Sequence, residues 1–210
     1  MLRARLAPAR FDKYVGAAGG DPVLALRLYE WNIQASASLH GAIGQFEVLL
    51  RNALDVQLSK YHRTVLGGDG SWWMDPAMPF QADLAEKVTD ARRRARRGGA
   101  SETHGKVIAE LMFGFWRFLL DSQHSGTLWA PALRHAFPHL RPKVRTEVYD
   151  RVERINALRN RVAHHEPVHY ILLDDRWQDL LTVAGWICPT TAAWIWSTST
   201  LPAVLASKPI

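Results

Sequence analysis

Residues 143–165 read KVRTEVYDRVERINALRNRVAHH, and they are the most informative part of the sequence. Its apolar residues recur every three or four positions, which is the spacing of a helix with one buried face. They are Val144, Val148, Val152, Ile155, Leu158 and Val162. Pro167 disfavours helical geometry at the residue before it, so the helix is predicted to end at about His165. The stretch therefore predicts a long amphipathic helix with a core-facing stripe.

Most of the remaining chain also has helical spacing, and strand patterns are nearly absent. Asp21 is a good N-cap, and Pro22 fits the first helical position. Glycines 41 and 44 weaken the pattern of this first helix, which continues to about Tyr61. Other predicted helices span about 82–97 and 102–120; prolines then break a short helical connection, and one or two Trp-rich covering helices, broken at Pro189, follow residue 165.

We expect an all-α fold, a single-domain helical bundle with extra covering helices. The helical domain is predicted to span residues 21–198, with an N-terminal extension at 1–20 and a C-terminal tail at 199–210. The chain has 210 residues, 48% of them apolar, which is enough for one substantial core and argues against disorder.

Charge and cysteine content limit the partners and the compartment. The formal net charge of +6 favours a polyanion such as RNA as a partner. Cys188 is the single cysteine, so no internal disulfide can form and a cytoplasmic location is expected. No apolar stretch reaches the ~20 residues that span a bilayer, so we expect no membrane association.

Arg159, Asn160 and His164 form the candidate catalytic group. On a helical wheel, Asn160 and His164 lie side by side opposite the apolar stripe, and Arg159 lies on its flank within reach of that face. His165 falls on the other flank, so the wheel favours His164 as the functional histidine.

These three residue types can bind a phosphate and move its protons without a metal. The end of a helix favours a protonated imidazole, so His164 is suited to act as a general acid or base near neutral pH. The planar fork of Arg159 suits a phosphate and the charge of its transition state, and Asn160 could orient either group. A solvated helix face commonly carries the same residue types, so the motif alone leaves that alternative open.

Four segments resemble the Abi-like abortive-infection proteins of the HEPN superfamily. They are LRNRVAHHEP at 158–167, EVLLRNAL at 47–54, LMFGFW at 111–116 and LTVAGWICP at 181–189. The order of these segments along the chain also agrees with the family, which makes the resemblance more specific than any one segment.

The resemblance implies a HEPN-type bundle that forms a homodimer and brings two R-x4–6-H motifs into one cleft. It further implies a metal-independent endoribonuclease that uses the 2′-hydroxyl of RNA and leaves 2′,3′-cyclic phosphate and 5′-hydroxyl ends. Arg159 and His164 match the catalytic pair, and Asn160 matches the polar residue that often follows the arginine. Abi-like proteins act in bacterial anti-phage defence, and some relatives are controlled by an antitoxin protein or a small RNA. Some HEPN proteins keep the motif without nuclease activity.

Four further residues are expected to support the motif rather than to take part in catalysis. Glu47 and Arg51 have the i,i+4 spacing of a helix-surface ion pair. Asn52 follows them in the same segment, and His165 lies beside His164.

Five arginines between residues 92 and 97 form a candidate RNA-binding cluster. They are Arg92, Arg93, Arg94, Arg96 and Arg97. Such a cluster can grip phosphates in a salt-dependent way, although charge runs are also typical of solvated helix ends. The tryptophans of the last segment are expected in the core or at a dimer interface. The scattered histidines lack metal-ligand spacing, so no metal and no cofactor is expected.

Three functional hypotheses remain open on the sequence. The first is the metal-independent endoribonuclease acting on single-stranded RNA, in an abortive-infection or toxin–antitoxin system. The second is a non-catalytic RNA-binding module, which would depend on the arginine cluster more than on His164. The third is a partner-regulated interaction protein, one half of a toxin–antitoxin pair.

Overall fold

The computed structural model describes residues 8–210, so residues 1–7 of the predicted N-terminal extension lie outside the described residues. Residues 8–210 contain nine α-helices and no strand. The predicted all-α class is confirmed. One continuous cluster of buried apolar side chains includes residues from every one of these helices, so they share a single core.

The helices have the following bounds: α1 Pro8–Ala17, α2 Pro22–Thr64, α3 Ala82–Ala95, α4 His104–Glu110, α5 Phe113–Phe118, α6 Arg145–Ala163, α7 Leu173–Ile187, α8 Pro189–Thr198 and α9 Leu201–Ala206. Short 3-10 and π turns lie at Trp72–Met74, Arg97–Gly99, Ser122–His124, Ser125–Trp129 and Leu133–Ala136. The last three form the short connection predicted before α6.

Helix α2 is the longest helix among the described residues, and most of the other helices pack against it. The Asp21 side chain accepts hydrogen bonds from the backbone N–H groups of Val23 and Leu24, and Pro22 begins the helix as predicted. The helix passes Gly41 and Gly44 without a break and runs for 43 residues, which corresponds to about 65 Å. It packs against α1 and against α5 to α9, so most of the fold is arranged around it.

The prediction of a single helix over residues 102–120 is wrong. Leu111 and Met112 have extended backbone geometry, with ψ angles of 115° and 159°, and they separate α4 from α5. Two side chains use carbonyl groups at the break: Arg94 donates to the Glu110 oxygen at 2.7 Å, and Trp116 Nε1 donates to the Leu111 oxygen at 3.3 Å. These bonds stabilise the interruption because a helix end otherwise leaves carbonyls without partners.

Helix α6 buries the predicted stripe, with one exception. Val148, Val152, Ile155, Leu158 and Val162 are all buried. Val144 precedes the helix and is 39% exposed, so its assignment to the stripe was wrong.

The C-terminal segment contains the predicted helix break at Pro189, which is the first residue of α8. Trp177 is buried, whereas Trp194 and Trp196 are 51% and 58% exposed and do not belong to the core. Leu201 of α9, in the predicted tail, is buried, as is Tyr14 of α1 in the predicted extension. Both ends of the described chain therefore pack on the same core. No helix among residues 8–210 has the length and apolar character needed to cross a membrane.

Candidate functional site

The end of α6 is shaped by a Schellman motif. The His165 N–H donates to the Val162 carbonyl at 3.1 Å, and the Glu166 N–H donates to the Arg161 carbonyl at 2.8 Å. His165 has φ of +54°, the left-handed position that glycine usually fills. His164 is the C-cap, with φ of −93° and ψ of 11°. The helix ends two residues before the predicted position, so the wheel does not apply to His165.

The side chains of Arg159, Asn160 and His164 make no hydrogen bond within residues 8–210. Arg159 is 36% exposed, and its one ion-pair partner in that range is the Glu47 carboxylate, 3.9 Å from Nε. Asn160 and His164 are exposed one helical turn apart. The three predicted catalytic side chains are thus available to a ligand.

The other four arginines of α6 are all engaged. Arg154 holds Asp179 with two bonds of 2.8 Å, and Arg151 donates to the Glu147 carboxylate. Arg161 donates to the Glu166 carboxylate at 3.0 Å, and Arg145 donates to the Leu120 carbonyl at 2.7 Å. Among the arginines of this fully described helix, only Arg159 has a guanidinium that donates no hydrogen bond within residues 8–210.

Glu47 reaches the motif from α2, where it lies on the helix face that packs toward α6. The proposed pairing of Glu47 with Arg51 is absent between these two described residues; Arg51 Nε instead lies 3.3 Å from Asn52 Oδ1. A carboxylate 3.9 Å from Arg159 can orient the guanidinium without occupying its hydrogen-bond donors. Glu47 is therefore placed to support the motif, whereas Arg51 and Asn52 bond to each other.

Arg159 and Asn160 line a cleft of about 430 Å³ between α3, α5 and α6, which we call the motif cleft. Its other lining residues are Lys87, Asp90, Arg94, Leu111, Met112, Phe113, Gly114, Phe115, Arg117, Phe118 and Asn156. Four side chains of the whole lining are cationic, namely Lys87, Arg94, Arg117 and Arg159, and Asp90 is the one acidic residue that the described part of the chain contributes. His164 lies outside this cleft, one turn beyond Asn160.

The arginine cluster at the end of α3 is largely neutralised. Arg92 and Arg96 both bind Glu102, and the hydrogen bond from Arg92 holds the pKa of that carboxyl below its usual value against the opposing effect of burial. Arg94 pairs with Glu110 at 3.0 Å, and Arg93 pairs with Asp90 at 2.8 Å. Arg97 is exposed.

Of these five arginines, all in the described range, only Arg94 lines the motif cleft. Their role in RNA binding stays a prediction, and the carboxylates reduce the field that the cluster can offer to a phosphate.

His165 faces a different part of the surface. It lines a second pocket, of about 440 Å³, together with Ile33, Ala37 and His40 of α2. Its backbone carbonyl accepts a hydrogen bond from Arg10 of α1. His164 and His165 are neighbours in sequence, but only His165 lines this second pocket.

The cleft residues that sequence reasoning missed include Lys87, Met112, Arg117, Phe118 and Asn156. Asn156 precedes Asn160 by one turn, so the wheel that placed Asn160 could also have found Asn156. The other four come from α3, α5 and the turn before α5, and no local spacing connects them to α6.

Comparison with known proteins finds no family model, no curated protein and no solved structure that matches the chain. Within residues 8–210, no group of three or more His, Cys, Asp or Glu side chains is placed to hold a metal ion.

Proposed function

We propose that this chain is a metal-independent endoribonuclease that cleaves single-stranded RNA. One observation carries the proposal: Arg159 has a guanidinium without a hydrogen-bond acceptor, on a helix where every other arginine is engaged. A planar guanidinium left free beside an exposed amide and an exposed imidazole suits a phosphodiester.

The reaction follows from the three side chains. The His164 imidazole accepts the proton of the 2′-hydroxyl, and the 2′-oxygen attacks the adjacent phosphorus. Arg159 stabilises the charge on the pentacoordinate phosphate, and Asn160 orients the phosphate oxygens or the imidazole. The bond to the 5′-oxygen then breaks, and that oxygen receives a proton from an imidazolium. The products carry 2′,3′-cyclic phosphate and 5′-hydroxyl ends.

A homodimer fits this mechanism. His164 and Asn160 are exposed to solvent in one protomer, and a second copy covering this face would exclude water and supply a second His164 as the acid. The resemblance of the motif segments to Abi-like HEPN proteins supports this arrangement. It also supports a role in bacterial anti-phage abortive infection or a toxin–antitoxin system, in the cytoplasm, with control by an antitoxin protein or a small RNA.

The test is cleavage of mixed single-stranded RNA in the presence of EDTA. Arg159→Ala and His164→Ala should each lower the rate at least about 100-fold, because each removes a group that acts on the reacting phosphate. Arg161→Ala is the matched control: it removes a neighbouring arginine that is engaged with Glu166, and it should leave the rate within about threefold of wild type. Mass spectrometry of the fragments should show cyclic phosphate ends.

Two outcomes would contradict the proposal. Cleavage that is unchanged in pure His164→Ala protein would show that another group does the chemistry. Tight, salt-sensitive binding of RNA without cleavage by wild type would favour the RNA-binding alternative, and in that case substitution of the Arg92–Arg97 cluster should weaken binding more than substitution of His164.

A further inference from the structure

The motif cleft has the size and position of a subsite beside the proposed catalytic group. Its volume of about 430 Å³ lies within the range of small-ligand sites, roughly 300–1,000 Å³. Arg159 and Asn160 form part of its wall, whereas His164 does not line it. A group bound in the cleft would thus adjoin the motif without covering the imidazole.

One side of the cleft is apolar and open. The break between α4 and α5 turns Met112 outward, so that its side chain is 67% exposed. Phe118 lies partly exposed in the same cleft, and the Arg117 guanidinium lies over its ring, 3.8 Å from the centroid. Gly114 lies in the same wall, and nothing is found within 4 Å of the place where its Cβ would be. An exposed methionine beside a flat glycine surface suits the face of a nucleobase, and a guanidinium that covers an aromatic ring offers a second flat surface for stacking.

The remaining wall is cationic and carries free amides. Arg94 and Arg117 are paired with Glu110 and Glu153, at 3.0 and 2.7 Å, so these carboxylates reduce the field that the two arginines offer to a phosphate. Arg159 keeps unused donors that a phosphate oxygen can accept. The amides of Asn156 and Asn160 have no hydrogen-bond partner among the described residues, and an amide can pair with a base edge.

We infer that the motif cleft seats one nucleotide of the RNA strand, with its base against Met112 and the stacked pair of Arg117 and Phe118, and its phosphate at Arg159. This inference rests on the proposed nuclease for its link to cleavage, but nucleotide binding can be measured without cleavage. The subsite is a positioning device: it fixes the register of the strand against His164, and it selects single-stranded substrate because a paired base cannot enter a cleft.

Methionine methyl NMR measures this binding directly, because the chain has four methionines. Titration of 13C-methyl-labelled protein with adenosine 5′-monophosphate should move the Met112 methyl signal upfield through the ring current of the base. Met74 is the internal control: it is 53% exposed but lies outside the cleft, so its signal should stay in place. Inorganic phosphate alone should not reproduce the upfield shift.

Gly114→Leu fills the cleft and leaves every proposed catalytic side chain intact. It should abolish the Met112 shift and lower the RNA cleavage rate at least 10-fold. Gly105→Leu is the matched control, since this glycine of α4 is also helical with open space around its Cβ but does not line the cleft. It should behave as wild type, and His164→Ala should keep the nucleotide shift while it loses cleavage.

The outcomes separate the two proposals. An active wild type with no Met112 shift, or a Gly114→Leu variant that binds and cleaves as wild type does, would overturn the subsite and leave the nuclease standing. A Met112 shift that Gly114→Leu abolishes, in a protein that cleaves no RNA, would support nucleotide binding in the cleft and overturn the nuclease.

Discussion

The two adjacent histidines after α6 have different physical roles because the backbone separates them. His164 closes the helix with ordinary angles and an exposed ring, whereas His165 carries the left-handed backbone of the Schellman motif. A non-glycine residue in this region costs about 1–2 kcal/mol relative to right-handed geometry, although histidine is among the residues that tolerate it better than most.

We expect His165→Gly to raise the free energy of unfolding by about 0.5 kcal/mol, because glycine adopts this angle without strain but loses more chain entropy on folding. Urea denaturation should show the increase, and RNA cleavage should remain at the wild-type level. His165→Ala is the comparison variant, since alanine keeps the strain. A glycine variant less stable than the alanine variant would show that the His165 ring makes a stabilising contact.

At the scale of elements, Asp179 of α7 is the main polar link to α6. Its carboxylate is nearly buried and accepts two bonds from Arg154 and one from Arg176, at 2.8 to 2.9 Å. Burial by itself would raise the pKa of Asp179, but the hydrogen bonds and charges of Arg154 and Arg176 outweigh it and hold the pKa below its usual value. The folded state therefore stabilises the ionised carboxylate.

We expect Asp179→Asn to lower the free energy of unfolding at pH 7 by about 2 kcal/mol, since it leaves the partly exposed donors of Arg154 and Arg176 with a neutral partner in place of a carboxylate. Because the folded pKa is lowered, the contribution is complete above the unfolded pKa of about 4 and is lost as the pH falls through the folded value. The free energies of unfolding of wild type and Asp179→Asn, measured by denaturation, should therefore converge below about pH 3. Glu147→Gln, which removes an exposed partner of Arg151, should change stability by less than about 0.5 kcal/mol.

The difference in the free energy of unfolding between wild type and Asp179→Asn should not stay constant from pH 7 to pH 2.5. A constant difference would contradict stabilisation by the ionised Asp179 carboxylate. It would mean that the substitution acts through packing of α6 on α7 instead.

Individual elements show which parts of the fold local sequence determines. The stripe of α6, the cap at Asp21 and the stop at Pro189 depend on residues that are close in sequence, and each was predictable. Helix α2 was predicted to continue to about Tyr61 and ends at Thr64, but only the structure gives a reason for Gly68 just beyond it: a Cβ there would lie 2.1 Å from the buried His62 ring.

The break at Leu111 and Met112 was not predictable from spacing. Apolar residues continue on both sides of it, and it is stabilised by Arg94, which comes from a different helix. The candidate site divides in the same way. Its α6 residues were predictable because they share one helix face. The contact of Glu47 with Arg159 was not, because these residues are far apart in sequence and meet only through the packing of α2 on α6.

At the scale of the whole molecule, two buried histidines make the stability of the fold depend on pH. His124 precedes the turn at Ser125–Trp129, and His169 packs against Tyr14 with ring centroids 4.7 Å apart. Burial lowers the pKa of His124, against the opposing charges of Asp121 and Asp83. Burial also lowers the pKa of His169, and the charge of Lys208 adds to that effect. In both rings Nδ1 is buried without a hydrogen-bond partner among the described residues, so neither site stabilises a cation.

We expect acid to weaken the fold between pH 7.5 and 5. The unfolded chain takes up protons at these histidines below about pH 6.5, whereas the folded protein resists protonation, so unfolding is favoured as the pH falls. The loss should be on the order of 1 kcal/mol for the two sites together. Thermal denaturation of wild type should show a lower Tm at pH 5 than at pH 7.5, and the double variant His124→Gln, His169→Gln should show a smaller difference between the two Tm values.

The exposed His139 provides the control, since His139→Gln should keep the wild-type difference. A double variant with the same pH dependence as wild type would assign the acid sensitivity to carboxylates, because these histidines would then titrate alike in both states.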